Sequence, residues 1–324
     1  MKNAFKAIAI ILAFVILLSL AGCSEDVESA KFNPKDNKKD KSLESSANEE
    51  NERDIFYINE YVQIGDIVIC VLGVEDKTEE STFEPDQGYK YVEADISIYN
   101  TSDEFHSISS WMGFELQDSE LYTYSASIMA DNKFSLDGSI PPGMKMSGTV
   151  SFELPEGSIP QNLIFDYDWL GGGQAIINLD EENVLEYKKF DNPQVPIKPA
   201  VVGDTLEFSN VNITINSMRE DKNGGLFEPD EGMMYALIDL TIENKSSESI
   251  SSSSLMQINM FDGQGHYYST SLFAETKGSI EGEISPGQKK RGEVGFEVLE
   301  KAESLYMLLD YDWLESDPKL VQIK

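Results

Sequence analysis

From residue 55 onward, apolar and polar residues alternate with a period of two. In residues 92–98 every even position is apolar and every odd position is polar. This alternation predicts strands with one buried face, as in antiparallel sheets packed in pairs. Only residues 180–187 have a pattern that favours a helix. Similar alternation occurs in residues 67–71, 150–154, 211–215, 236–242 and 294–298.

The strand pattern occurs twice, at a constant offset. Phe83–Gly88 matches Phe227–Gly232, and 148–153 matches 292–297, without a gap. These matches indicate a duplicated domain. About seven short strands in roughly 125 residues are typical of an immunoglobulin-like sandwich. The predicted fold is therefore all-β, with two tandem immunoglobulin-like antiparallel β-sandwiches. Further matched pairs are Asn100 with Asn244, Met112 with Met256, Asp118 with Asp262, and Pro142-Gly143 with Pro286-Gly287.

The first residues have the features of an export signal. Two lysines precede an apolar run over 7–20, and Leu20-Ala21-Gly22-Cys23 resembles the bacterial lipobox. The run is short for a membrane-spanning helix. The resemblance implies cleavage after a signal peptide of residues 1–22 and attachment of a diacylglyceryl group and palmitate to Cys23. The expected location is the extracytoplasmic face of the cell membrane, held by the lipid anchor. An uncleaved signal anchor is the alternative.

Two segments have the composition of connections. Residues 23–54 are mainly Ser, Asn, Glu, Asp and Lys, which predicts a disordered linker with a reach on the order of 30 Å. Residues 189–199 contain three prolines and are interpreted as a hinge. The expected modules are then 55–188 and 200–324.

Charge and cysteine content exclude several functions. The formal charge is −33, which argues against nucleic acid and anionic lipid headgroups as partners but not against cations. With Cys23 lipidated, Cys70 has no disulfide partner and is expected to be a packed or half-buried thiol. His106 and His266 lack counterparts in the other copy and are expected in surface loops. A triad with histidine or a site with several histidines is therefore excluded within a module.

The acidic element Asp166-Tyr167-Asp168-Trp169 is repeated as Asp310-Tyr311-Asp312-Trp313. In a strand, the rings would share one face and the carboxylates the other. One interpretation is that the rings pack into the core. The second is a calcium site at Asp166, Asp168, Asp310 and Asp312, although the spacing of known calcium loops is absent. A glycosidase would need a cleft and a defined carboxylate separation.

The order of motifs resembles domain-of-unknown-function family 4352. The resemblance rests on Val202-Gly203-Asp204, the Pro-Asp-x-Gly turn, Glu243–Ser246, Pro286-Gly287 and 292–297. It covers both copies, but the first has Asn59-Glu60 where the family shows Gly-Asp. The resemblance implies immunoglobulin-like modules of exported bacterial lipoproteins, without established catalytic residues.

These observations favour a non-catalytic binding or interaction module of the cell envelope, without a cofactor. The partner would be an unknown envelope protein, peptide or glycan, bound with avidity by two modules on a flexible hinge. The alternative is a structural module that responds to calcium. A hydrolase is the weaker alternative.

Overall fold

A computed structural model describes residues 30–31, 55–79, 81, 83–130, 132, 134–167, 173–192, 197–224, 226–311 and 318–324. The predicted signal peptide, Cys23 with its lipobox, and most of the predicted linker lie outside these residues. Among the described residues, no helix has the length and apolar character that a membrane crossing requires.

The first module is a sandwich of two sheets with the strand orders β1-β3-β4-β5-β10 and β2-β12-β11-β7-β8. A small sheet, β6-β9, lies beside them. Most neighbours are antiparallel, but β2 pairs with β12 in parallel. The elements are β1 (Ala30–Lys31), β2 (Ile55–Tyr57), β3 (Val62–Ile64), β4 (Ile67–Asp76), β5 (Tyr89–Asn100), β6 (His106–Ile108), α1 (Ser110–Gly113), β7 (Phe114–Asp118), β8 (Thr123–Ser125), β9 (Gly138–Ile140), β10 (Lys145–Pro155), β11 (Pro160–Asp166) and β12 (Gln174–Asn178).

The second module repeats this plan with the sheets β14-β15-β16-β21, β13-β23-β22-β18-β19 and β17-β20. Its short β13 also pairs in parallel, with β23. The elements are β13 (Ala200–Val201), β14 (Thr205–Glu207), β15 (Val211–Asp221), β16 (Met233–Asn244), β17 (Ile250–Ser252), α2 (Ser254–Gln257), β18 (Ile258–Asp262), β19 (Tyr267–Tyr268), β20 (Gly282–Ile284), β21 (Lys289–Leu299), β22 (Leu305–Leu309) and β23 (Lys319–Gln322).

The predicted alternation of buried and outward positions is confirmed in the long central strands. The even-numbered residues of 92–98 and 236–242 are buried between the sheets. Phe152 and Phe296 occupy matching places and are fully buried. Each buried side chain of this size stabilises the fold by roughly 1.5–3 kcal/mol. The register also repeats, since both β4 and β15 shift by one residue, between Val71 and Gly73 and between Ile215 and Ser217.

Two local expectations are wrong. The helix expected over 180–187 is reduced to a 3₁₀ turn, Glu181–Asn183, capped by Asp180. Ala30–Lys31 lies within the predicted disordered linker, yet it pairs with Val62–Gln63 at the edge of a sheet. Each module also has more elements than a simple sandwich, because its serine-rich segment forms part of a small extra sheet and a one-turn helix, α1 or α2.

The departure from the family pattern at Asn59 has a conformational explanation. Asn59 has φ +67° and its counterpart Gly203 has φ +101°. Both N–H groups donate to the neighbouring strand, at 2.8 Å to the oxygens of Val71 and Ile215 respectively. Asparagine is among the few residues other than glycine that adopt this backbone region readily, so the turn survives the substitution.

Candidate binding surfaces and the module junction

Repeated polar residues outside the acidic element hold loops in place. The buried Asn100 side chain donates to the backbone oxygens of Glu104 and Ile140, at 2.6 and 3.0 Å, and accepts from Ser102. Asn244 makes the corresponding bonds in the second module. All of these groups lie in one loop and one neighbouring strand, so the repeated asparagine is explained by folding.

Two repeated carboxylates have similar structural roles. Glu153 accepts a hydrogen bond from the N–H of Asp86 at 2.6 Å, and Glu297 accepts from Asp230 at 2.7 Å. These bonds fasten the Glu-Pro-Asp-x-Gly turn to the adjacent long strand. Each glutamate therefore stabilises the turn, and this structural role accounts for both repeated motifs.

Asp118 and Asp262 organise the tip of one hairpin in each module. Asp262 accepts from the N–H groups of Gln264 and His266, from the His266 ring at 2.9 Å, and from the Tyr268 hydroxyl at 2.7 Å. Burial alone would raise the pKa of Asp262, but the bonds from His266 and Tyr268 outweigh it and lower the pKa below its ordinary value. Asp118 accepts from the equivalent N–H groups and from Tyr124.

The acidic element lies at the end of β11 and after β22. Phe165 is fully buried, and the hydroxyl of Tyr311 is 3.1 Å from that of Ser252. Burial raises the pKa of Tyr311 to about 12. The interpretation that the rings of this element pack into the core is thus confirmed for Tyr311, which packs against the core of the second module, and Phe165, the residue before the first copy of the element, is buried as well. Asp168, Trp169, Asp312 and Trp313 lie outside the described residues.

The calcium site remains a prediction. Asp166 ends β11, with its backbone oxygen close to Gly113 of α1, and the N–H of Asp310 donates to the oxygen of Gln257 at 2.8 Å. Among the described residues, no three carboxylate, histidine or cysteine side chains come close enough together to hold a metal ion. Two of the four predicted ligands, Asp168 and Asp312, are not among those residues.

Both histidines differ from the surface positions expected of them. His106 begins β6 and is half-buried; its ring bonds the Ser102 hydroxyl at 2.9 Å and the Tyr167 hydroxyl. His266 is also half-buried, in the hairpin tip of the second module. By contrast, the expectation of a packed Cys70 is confirmed, since the thiol is buried and burial raises its pKa to about 12.

The segment after the first sandwich is fastened to it. The N–H of Leu185 donates to the oxygen of Ile58 at 3.1 Å, and the Tyr61 hydroxyl donates to the oxygen of Lys188 at 2.7 Å. The Phe190 ring packs on Tyr99 with centroids 4.5 Å apart. The described start of the predicted 189–199 hinge is therefore packed against the module, which contradicts a free hinge at this point.

The two modules contact each other directly. The Tyr267 hydroxyl donates to the oxygen of Ser139 at 2.6 Å. The Phe134 ring stacks on His266 with centroids 4.0 Å apart. The N–H of Ser147 donates to the oxygen of Gly265 at 2.8 Å. Polar and aromatic contacts thus hold the hairpin tip of the second module on the first, in a surface we term the junction.

A pocket of about 450 Å³ lies at the junction. Residues from the first sandwich, the packed segment 187–192 and the β18 end of the second sandwich line it. Lys145 and Lys189 contribute cationic groups, and Asp191 and Asp262 contribute carboxylates. The aromatic side chains in its lining are Tyr99, Tyr187, Phe190, Phe261 and Tyr306.

Large apolar side chains are exposed at the same places in both modules. Phe83 is 54% exposed and Phe227 49%; Ile128 is 82% exposed and Leu272 77%. In the second module the Phe227 and Phe273 rings contact each other, with centroids 5.0 Å apart. The exposed pairs at the common offset are Phe83/Phe227, Trp111/Leu255, Met112/Met256, Ile128/Leu272 and Met129/Phe273.

Three of these pairs belong to loops fastened to one strand. The N–H of Ser127 donates to the oxygen of Ser151 at 2.7 Å, and Ser271 bonds Gly295 at 2.8 Å. We term Phe83, Ile128 and Met129 the first loop patch, and Phe227, Leu272 and Phe273 the second. Sequence reasoning missed both patches. The available signal was a repeated apolar residue beside turn residues, outside any alternating strand.

The fold defines a tandem all-β module protein. A family model described as a domain of unknown function, DUF4352, matches residues 56–176 and 200–317. The chain belongs to this family, which confirms the resemblance found in its motifs. No curated protein matches the chain.

Solved structures of uncharacterised proteins are similar to part of the chain. An uncharacterized beta-sandwich protein from Clostridium difficile 630 shares 16% identity over 40% of this chain and 98% of its own, with a TM-score of 0.30. A conserved hypothetical protein from Bacillus anthracis shares 19% identity over 39% of this chain and 96% of its own, with a TM-score of 0.30. The yjhA protein from Bacillus subtilis shares 16% identity over 39% of this chain and 99% of its own, with a TM-score of 0.31.

Proposed function

We propose that this chain is a lipid-anchored extracytoplasmic lipoprotein whose modules bind an envelope protein through the two loop patches, without catalysis. The anchor is supported by the lipobox resemblance at Cys23. The binding role is supported by one observation above all: the repeated, exposed apolar side chains of the loop patches.

Folding does not account for these side chains. Single exposed apolar residues are common on protein surfaces and need no special cause. Other exposed apolar residues differ between the copies: Leu121 corresponds to Gly265, and Ile159 corresponds to Glu303. The loop patches keep their apolar character on both modules while such neighbours do not. Apolar clusters with polar surroundings are typical of protein-binding surfaces.

The junction adds a geometric argument. Because the modules contact each other, the loop patches lie at a set separation instead of on independent arms. A partner with two matching sites then loses less conformational freedom on binding than it would with a flexible pair. A single partner with one site could also bind either patch, with lower avidity.

The test compares capture of envelope proteins by the full chain and by patch variants. One variant carries Phe83→Ser and Ile128→Ser, and another carries Phe227→Ser and Leu272→Ser. The matched control carries Leu121→Ser and Ile159→Ser, which removes exposed apolar side chains that are not repeated. Each apolar side chain buried on binding contributes up to roughly 1.5–3 kcal/mol, so affinity should fall at least tenfold in either patch variant.

The readout is quantitative mass spectrometry of crosslinked partners, followed by an affinity measurement with each purified partner. The proposal requires one partner whose capture falls in both patch variants and is retained in the control. Equal capture by all variants, or equal loss in the control, would contradict it. Unchanged melting temperatures of the variants exclude unfolding as the cause of a loss.

A further inference from the structure

The junction pocket has the chemistry of a small-molecule site, separate from the loop patches. Its volume of about 450 Å³ falls within the range of ligand pockets, roughly 300–1,000 Å³. Both modules and the packed segment between them contribute to its walls. The site therefore requires the junction, and neither sandwich forms it alone.

Lys145 is the most informative group in this pocket. Its side chain is half-buried, with the ammonium 6.0 Å from the centroid of the Tyr99 ring. Among the described residues, no carboxylate forms an ion pair with it. Burial lowers the pKa of Lys145, the charges of Asp262 and Asp95 oppose that effect, and the Lys189 charge adds to it. A partly desolvated ammonium without an ion pair is stabilised by an incoming anion.

The nearby carboxylates in the described part of the chain do not form an ion pair with Lys145, so an incoming anion can take that place. The oxygens of Asp262 are occupied by its own hairpin, through His266, Tyr268 and two backbone N–H groups. Asp191 lies on the exposed rim. Lys145 and Lys189 thus place two positive charges in one pocket of a strongly acidic protein. An anion bound here would reduce the repulsion between them.

The walls indicate what the anion is attached to. Aromatic rings with hydroxyl groups, as in Tyr187 and Tyr306, offer both an apolar face and hydrogen-bonding atoms. The exposed Asp191 adds a carboxylate at the rim. A sugar ring can lie against such a wall while its hydroxyls bond the rim. We propose that the junction pocket binds an acidic saccharide, with its carboxylate at Lys145 and Lys189 and its ring against the tyrosines.

Calorimetry on the full chain in detergent tests this proposal. The probes are glucuronic acid and N-acetylmuramic acid, with N-acetylglucosamine as the neutral sugar and benzoate as the acid without a sugar. We expect saturable binding of at least one acidic sugar, and binding of the neutral sugar at least tenfold weaker. Binding of benzoate alone, or equal binding of the neutral sugar, would overturn the proposal.

Variants locate the site. Lys145→Gln and Lys189→Gln together should weaken binding at least tenfold, and Tyr187→Ala, which changes an exposed wall residue, should also weaken it. Lys289→Gln is the matched control, because Lys289 is the counterpart of Lys145 in the second module and lies away from the pocket. Unchanged affinity in the lysine and tyrosine variants, or an equal loss in the control, would overturn the assignment. A melting temperature measured for each variant excludes unfolding.

Discussion

Gly265 allows the close approach of the two modules, and replacing it with leucine should separate them. A Cβ atom at this position would lie 2.7 Å from the backbone oxygen of Lys145. A Cβ atom essentially never comes within 3.0 Å of another heavy atom, so the second module would have to move away from the first. Leu121 occupies the equivalent place in the first module, at φ +70°, which shows that this hairpin accepts leucine when nothing packs against it.

The size of the effect follows from the interactions that this separation breaks. The Ser147–Gly265 and Tyr267–Ser139 hydrogen bonds contribute roughly 1 kcal/mol each. The stacked rings of Phe134 and His266 contribute about another 1 kcal/mol. Breaking all three weakens the junction by about 3 kcal/mol, which is on the order of a hundredfold in the docking equilibrium.

Calorimetry and small-angle scattering measure this outcome. Gly265→Leu should divide one cooperative unfolding transition into two and increase the radius of gyration, while the far-ultraviolet spectrum stays that of a β protein. The matched control, Leu121→Gly, changes the corresponding exposed tip and should leave docking intact. A Gly265→Leu protein with the same single transition and the same radius would refute the reasoning.

Three further predictions concern single groups. Because the folded-state pKa of Asp262 is lowered, its stabilisation should be full above the ordinary aspartate pKa of about 4 and lost as pH falls through the lowered value; Asp262→Asn should flatten melting temperature against pH in that range. The Cys70 thiol, with a pKa raised to about 12, should react with a disulfide reagent only after unfolding; rapid reaction in the native protein would contradict its burial. If the acidic element binds calcium, calcium should raise the melting temperature, and Asp166→Asn with Asp310→Asn should abolish the rise; no heat on titration would remove the hypothesis.

The sandwich was predictable because its cause is local and repeated. A period of two places Ile96 and Ile238 between the sheets whatever the loops do. Because the repeat has a constant offset, each strand predicted in one module is also predicted in the other. The parallel edge pairs were not predictable, since β2 and β13 are short and their partners lie far along the chain. Registers between distant segments depend on tertiary packing more than on local pattern.

The candidate surfaces, unlike the sandwich, were not predicted from the sequence. Sequence reasoning selected the aspartates of the acidic element and expected the histidines in surface loops, yet His266 bonds Asp262 within a hairpin. The pocket depends on Lys145 and Lys189, which lie in different elements and meet only because the segment after β12 packs back on the sandwich. A charged residue can be identified as part of a binding site only when its neighbours are known. The same type of residue can be hydrogen-bonded within its own loop or left without an ion pair.

The junction is asymmetric, which explains why two modules form one junction pocket. The tip of one repeat contacts the side of the other, so the contact is heterologous. If both modules had the same tip and the same side, this contact would propagate from molecule to molecule. At the tip of the first module, Leu121 replaces the glycine that permits the close approach. On the side of the second module, Gly278 replaces Phe134, so no ring is present to stack on an incoming tip. Both free ends therefore lack a residue on which the contact depends, and we expect the docking to stop at one pair of modules.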